Sequence, residues 1–352
     1  MADTFTACPF IAGPMLTDPN LFFGREDELR ILVGKLRGRQ PVSVNLVGER
    51  RIGKSSLLYH FVQTWEGRVP DPSRFAVLYL DLQKDTPATE EAFYKLLATA
   101  LKGRPSVQQA LPSHFAFARF PRDHREFSAC MEALAAVDLL PIFCLDEFET
   151  LLHYPKQFND HFFDRLRGLM NANLLLFILS SRRSLDLCAG EQKLTSAFFN
   201  LGHMLRLAEL SEEAADHLVN LPMPEREALP ALQASDQKLA RQWGGRHPYL
   251  LQLAAGELFD ARQCGKDTRW AEKRFLEQSC RIQAVSRWKR LLRGILRCCR
   301  RPLKSLAEDA VSLGKIIGLI VALLLSIYFF REFLASKLTS ADIITLAKKL
   351  WL

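Results

Sequence analysis

Along the N-terminal two thirds of the chain, apolar residues fall in short unbroken runs separated by polar, turn-forming residues. Such runs are too short for helices and read as strands buried on both faces. Five are predicted, at 42–47, 75–80, 139–145, 174–179 and 203–207. Between them the apolar residues recur at helical spacing. Leu29, Ile31, Leu32 and Leu36 mark a helix from Glu26 to about Gly38. Another starts at Ser56, and others fall at about 89–101, 124–137 and 157–172. The stretch 103–122 has Pro, Gly and Phe without a period and reads as a loop. Strands alternating with helices predict an α/β fold, a three-layer parallel sheet.

From Ser211 the pattern becomes helical only. Ser211-Glu212-Glu213 is a helix start, with acidic residues near the positive end. Further helices are predicted near 231–243, 248–263 and 268–301. The organisation expected is a lead over 1–40, an α/β core over 41–210 and a small helical lid over 211–285.

The C-terminal pattern differs again. Trp288, Leu291, Leu292, Ile295 and Leu296 follow helical spacing, with Arg287, Lys289, Arg290, Arg293, Arg297 and Arg300 between them. This predicts a basic amphipathic helix over 286–304, stopped by Pro302 and suited to an anionic membrane surface. Residues 316–330, IIGLIVALLLSIYFF, carry no charge. At about 1.5 Å per residue they span roughly 22 Å, short of a bilayer core of about 30 Å. Snorkelling by Lys315 and Arg331 extends the predicted transmembrane helix to 311–334. The alternative is a buried hairpin helix. Within the tail, 335–352, apolar residues such as Ile343, Leu350 and Trp351 suit a second, interfacial helix.

Charge sharpens this division. The net charge is +8, from 47 Lys/Arg and 39 Asp/Glu. Residues 262–304 hold 14 Lys/Arg and 3 Asp/Glu, a net of +11, which leaves 33 against 36 elsewhere. A basic character confined to one segment argues against a general nucleic-acid binder. Eight Lys/Arg in 287–304 against four in 331–352 place the N-terminal module on the cytoplasmic side. Eight cysteines without metal-binding spacing suit reduced thiols. The first residues lack a basic n-region, so no signal peptide is expected.

The candidate chemistry lies where strands end. Residues 48–55 read GERRIGKS, the pattern G-x-x-x-x-G-K-[ST], between a predicted strand and a predicted helix. That context defines a phosphate loop. Gly48 and Gly53 let the backbone wrap a phosphate, with Glu49, Arg50, Arg51 and Ile52 supplying the turn between them. Lys54 carries a point charge for the β- and γ-phosphates, Ser55 is placed to bind Mg²⁺, and Ser56 opens the helix. The strand at 139–145 ends in Asp146-Glu147. Asp146 would hold Mg²⁺ through water, and Glu147 would act as general base. Ser181 and Arg182 follow the next strand, where Arg182 can reach a γ-phosphate. Arg165 and Arg167 read better as a solvated helix face than as arginine fingers.

Together these pieces resemble STAND-type signalling ATPases, close to the AAA+ group. Phe23-Gly24-Arg25-Glu26-Asp27-Glu28 is similar to the GRExE element of that family, and Asp146-Glu147-Phe148-Glu149 to its Walker B. Ser181-Arg182 matches its sensor-1 position, and Gly245-Arg246-His247-Pro248 its lid motif, whose proline lies against adenine. The resemblance covers roughly 8–262 and adds Gly24, Arg25, Ser181, His247 and Pro248 to the nucleotide contacts. It implies an ATP/ADP-controlled switch that forms a homo-oligomer when activated by an unidentified protein trigger. No winged helix or sensor repeat is read after the lid. The expectation is a membrane-anchored ATPase acting in a stress or anti-phage response. Alternatives are a DNA-binding ATPase of the replication-initiator or loader type, using the basic segment, and a non-catalytic nucleotide-binding scaffold.

Overall fold

The computed structural model describes residues 7–38, 40–110, 120–200, 202–223 and 226–279. The chain divides into two compact units, Met1–Gln278 and Ser279–Leu352. The predicted basic helix, transmembrane helix and tail all lie outside the described residues. Among the described residues no helix is long and apolar enough to cross a membrane.

The first unit is built on five parallel strands: β1 (Val44–Val47), β2 (Phe75–Asp81), β3 (Leu140–Asp146), β4 (Leu176–Ser181) and β5 (His203–Arg206). Their order across the sheet is β2-β3-β4-β1-β5. The chain leaves the middle of the sheet after β1, crosses to the β2 edge and returns. Such a reversal opens a crevice at the C-terminal ends of the strands.

The central strands β3 and β4 present alternate side chains to two cores, as the period of two requires. On β3, Ile142 and Cys144 enter one core, and Phe143 and Leu145 the other. On β4, Leu176 and Ile178 divide from Phe177 and Leu179 in the same way. One face is covered by α1 (Glu26–Arg37) and α2 (Lys54–Thr64). The other is covered by α3 (Glu90–Lys102), α5 (His124–Ala135) and α6 (Asp160–Asn171). This second core is rich in phenylalanine: Phe162 packs edge-on to Phe93, Phe158 and Phe163, with ring centroids 4.8–5.3 Å apart. Thr89, Asp123 and Asn159 cap α3, α5 and α6 through their side chains, and the Asn159 cap starts α6 three residues later than its apolar period suggested.

Two expectations need correction. The predicted loop at 103–122 contains a short helix, α4 (Pro105–Ala110), with Pro105 at its first position and Val107 buried. A six-residue helix is too short to show a period. The segment after Ser211 is not purely helical. Beyond α8 (Glu212–Val219), β6 (Pro222–Met223) and β7 (Arg226–Pro230) form a two-stranded antiparallel hairpin. Two residues cannot establish alternation, so β6 left no readable pattern. A further short helix, α7 (Leu185–Glu191), also went unpredicted. The first unit ends with α9 (Ala234–Gly244), α10 (Pro248–Gln263) and a helical stretch over 268–278.

Candidate active site

Gly48 directly follows β1. A Cβ there would stand 2.7 Å from Ile52 Cγ2 and 3.2 Å from Leu207 Cβ, so only hydrogen fits. Gly53, with φ +96°, heads α2. Arg51 is also left-handed, with φ 64°. Lys54 is 5% exposed, and its Nζ donates to the carbonyls of Gly48 (3.0 Å) and Glu49 (3.3 Å). Burial lowers its pKa, against the opposing pull of Glu147, Glu149 and Asp146. A desolvated ammonium bonded to carbonyls is set to receive an anion.

Three carboxylates and an arginine stand at the ends of β3 and β4. Asp146 is buried; its Oδ2 accepts from the Tyr79 hydroxyl (3.1 Å) and its Oδ1 from the Glu147 amide (3.1 Å). Glu147 is left-handed (φ 51°) and begins a 3-10 turn over Phe148–His153. Burial raises the Glu147 carboxyl above its ordinary pKa; Glu149 adds to the shift, while Lys54 and Arg182 oppose it. Arg182 Nε donates to Glu147 Oε2 (3.3 Å) and Glu149 Oε1 (3.2 Å). Ser181 is buried, its hydroxyl turned to the Arg183 carbonyl (2.6 Å). The Ser55 hydroxyl and the Asp146 carboxylate are the hard oxygen donors that Mg²⁺ prefers, so the donor set fits that ion. Among the described residues no group of three or more His, Cys, Asp or Glu side chains could hold a metal alone. Water and phosphate oxygens would have to complete its shell.

The GRExE segment lies under the loop. Gly24 (φ +72°) approaches α8 so closely that a Cβ would fall 2.6 Å from Ala214 Cβ. The Arg25 guanidinium is bonded to Glu28 (2.9 Å), the Ile52 carbonyl (3.1 Å) and the Ala208 carbonyl (2.7 Å). It thereby joins the phosphate loop to the segment that follows β5.

The lead, the phosphate loop and the start of α10 line a cavity of ≈ 310 Å³. Of the residues predicted from sequence, Arg25, the run from Arg50 to Ser56, Glu147 and Pro248 line it. Gly24, Gly48, Glu49, Asp146, Ser181, Arg182 and His247 stand outside that lining. His247 caps α10, and its Nδ1 is buried without a partner among the described residues. Burial lowers its pKa, with Glu209 and Glu49 opposing. The candidate arginine fingers on α6 are paired within the chain, Arg165 with Glu90 and Arg167 with Asp164.

Sequence reasoning missed much of the cavity wall. The lead crosses its mouth: Ile11 N–H donates to Gln252 Oε1 (3.0 Å) on α10, and Leu16 N–H to Ser56 Oγ (3.1 Å) on α2. Tyr249 lies under the Arg51 guanidinium, 4.1 Å from its carbon to the ring centroid. The lead's apolar Phe10-Ile11 and its Gly13-Pro14 were visible in the sequence, but nothing there pointed to a contact across 241 residues. Tyr249 had one available signal, its place directly after the His247-Pro248 motif.

The chain is similar to several solved structures, and the first named shares its fold. A Walker-type ATPase of Pyrococcus abyssi is similar in structure, with 22% identity, 83% of this chain and 79% of that chain covered, and a TM-score of 0.55. The ORC1 protein of Aeropyrum pernix, solved in complex with DNA, has 16% identity, covers 86% and 84% of the two chains and has a TM-score of 0.48. Domain III of the Thermotoga maritima replication initiation protein DnaA has 15% identity, with 77% and 94% covered and a TM-score of 0.45. No curated protein matches the chain in sequence. The family described as Novel STAND NTPase 1 matches residues 16–305, and with its phosphate loop at the head of α2 and its acidic strand end beside it, the chain belongs to that family of P-loop NTPases.

Proposed function

We propose that the protein is a slow ATP-hydrolysing switch that holds ATP or ADP between the phosphate loop and the lid. The observation that carries this reading is the cavity in which Lys54 and Glu147 of the core face Pro248 and Tyr249 of the lid. Bound nucleotide would touch both parts, so ATP and ADP would favour different lid positions. Lys54 and the amides of 48–56 would bind the phosphates, with the positive end of α2 behind them. Ser55 and Asp146 would hold Mg²⁺, which when bound offsets the phosphate charge. Glu147, whose carboxyl burial makes more basic, would polarise the attacking water. Arg182 and Ser181 would read the γ-phosphate, while Gly24 and Arg25 brace the loop and His247-Pro248 flank the adenine.

The output in this reading is a membrane event. Activation by a protein trigger would assemble copies of the chain and gather their C-terminal segments, in a stress or anti-phage response. The charge of residues 262–304, +11, and the uncharged run 316–330 beyond it support an anionic membrane surface as partner and a single span near the C-terminus. Each basic residue near such a surface contributes about 1 kcal/mol. The ATPase module would face the cytoplasm.

The test uses the full chain. Bound adenine nucleotide and turnover in the wild type, loss of nucleotide in Lys54→Ala, and nucleotide retained with hydrolysis lost in Glu147→Gln are expected. No nucleotide and no turnover in the wild type would leave only a scaffold. The membrane output is tested separately, with phosphatidylserine vesicles and duplex DNA offered in parallel. Salt-sensitive binding to DNA with none to vesicles would replace it with the DNA-binding alternative.

A further inference from the structure

Arg182 is held in an unusual way at the end of β4. Its backbone N–H donates to Glu149 Oε1 (3.0 Å), and its Nε donates to the same oxygen (3.2 Å) and to Glu147 Oε2 (3.3 Å). Two donors of one residue converge on one carboxylate oxygen, which fixes both the backbone and the side-chain direction. Among the described residues, neither terminal nitrogen of the guanidinium donates a hydrogen bond. The planar fork is therefore open, and the side chain remains 52% exposed. The neighbouring Arg183 is different: both of its terminal nitrogens bind Glu191 on α7 at 2.6 Å.

Glu149 is suited to this task by its placement. The 3-10 turn that begins after the left-handed Glu147 buries Phe148 and brings Glu149 round beside Arg182. Its side chain is 12% exposed, and its Oε2 is buried with no partner among the described residues. Such a group is costly to bury. Lys54 and Arg182 are the cations that act on Glu147, and Glu149 also feels Arg183. Lys54 is bonded to loop carbonyls, and among the described residues it is the Arg182 side chain that donates to the carboxylates of both Glu147 and Glu149.

We infer that Glu149 is a positioning residue that holds Arg182 with its open fork available to a terminal phosphate while its Nε covers Glu147. The arginine then senses the γ-phosphate from a preset position and lowers the charge on the general base until nucleotide arrives. This rests on the proposed ATPase reading and assigns a role within its site. Glu149 itself touches neither nucleotide nor water in the reaction.

The test compares the Mg²⁺ complexes of a non-hydrolysable ATP analogue and of ADP by calorimetric titration of the full chain. The variants are Arg182→Ala, Glu149→Ala and Glu149→Gln, with thermal unfolding as a control for folding. Losing one charge-assisted contact corresponds to about tenfold or more in affinity. Arg182→Ala should lose about that factor for the analogue and almost none for ADP, and Glu149→Ala should do the same. Glu149→Gln keeps an oxygen that accepts both N–H groups and should stay within about threefold of wild type. Equal losses for ADP and analogue in Glu149→Ala would make the residue merely structural and overturn the assignment. So would wild-type discrimination in Glu149→Ala beside its loss in Arg182→Ala. A wild type that binds neither nucleotide would instead refute the ATPase reading, and the assignment with it.

Discussion

Replacing Arg25 tests how the GRExE element works. Its side chain is 5% exposed and makes three hydrogen bonds, to Glu28, the Ile52 carbonyl and the Ala208 carbonyl. A hydrogen bond to a charged group contributes about 1.5–3 kcal/mol net. The three share one guanidinium and do not add fully, so Arg25→Ala should cost about 3–4 kcal/mol. For a unit of this size that lowers Tm by about 6–16 °C. Arg25 also has a left-handed backbone, φ 69°. Arg25→Gly should therefore recover about 1 kcal/mol relative to Ala. Because Ile52 belongs to the phosphate loop, nucleotide affinity should fall in both variants. Thermal unfolding with and without Mg·ADP measures both effects. An Arg25→Ala protein that melts within about 2 °C of wild type, or a Gly variant no better than Ala, would refute the bracing argument.

Gly24→Ala should destabilise the lid contact by about 2–4 kcal/mol, from left-handed strain plus a Cβ 2.6 Å from Ala214 Cβ, read by chemical denaturation. Tyr79→Phe removes a donor to Asp146 and should raise the Mg²⁺ concentration needed for nucleotide binding several-fold, while Mg²⁺-free binding in EDTA stays the same. His60 is buried against Phe22, and burial lowers its folded pKa below the unfolded value. The unfolded state then takes up the proton first, so its contribution is complete above about pH 6.5 and is lost as pH falls below that. His60→Leu should flatten the fall in Tm between about pH 7 and pH 5.5, and an unchanged slope would reject this.

What was legible in the sequence is what depends on neighbours along the chain. Residues 48–55 announced a phosphate loop because turn, charge and hydroxyl are contiguous, and Asp146-Glu147 stood out because an apolar run ended in acid. Strand and helix alternation sufficed for the α/β class. The basic and uncharged segments beyond residue 285 remain a reading of pattern alone.

Tertiary structure decided what each legible residue touches. Arg25 reads from sequence as a nucleotide contact and lines the cavity, and the fold adds bonds from its guanidinium to two backbone carbonyls and Glu28. Glu149 looked like the tail of a motif until Arg182 came beside it from β4, 33 residues on. The sequence of the lead gives no sign that Ile11 meets Gln252. The β6–β7 hairpin was invisible because a two-residue strand carries no period. Local chemistry follows from sequence because a backbone turn or a buried strand is set within a few residues. The partners of a side chain across the sheet are chosen by strand order and packing, which involve the whole chain at once.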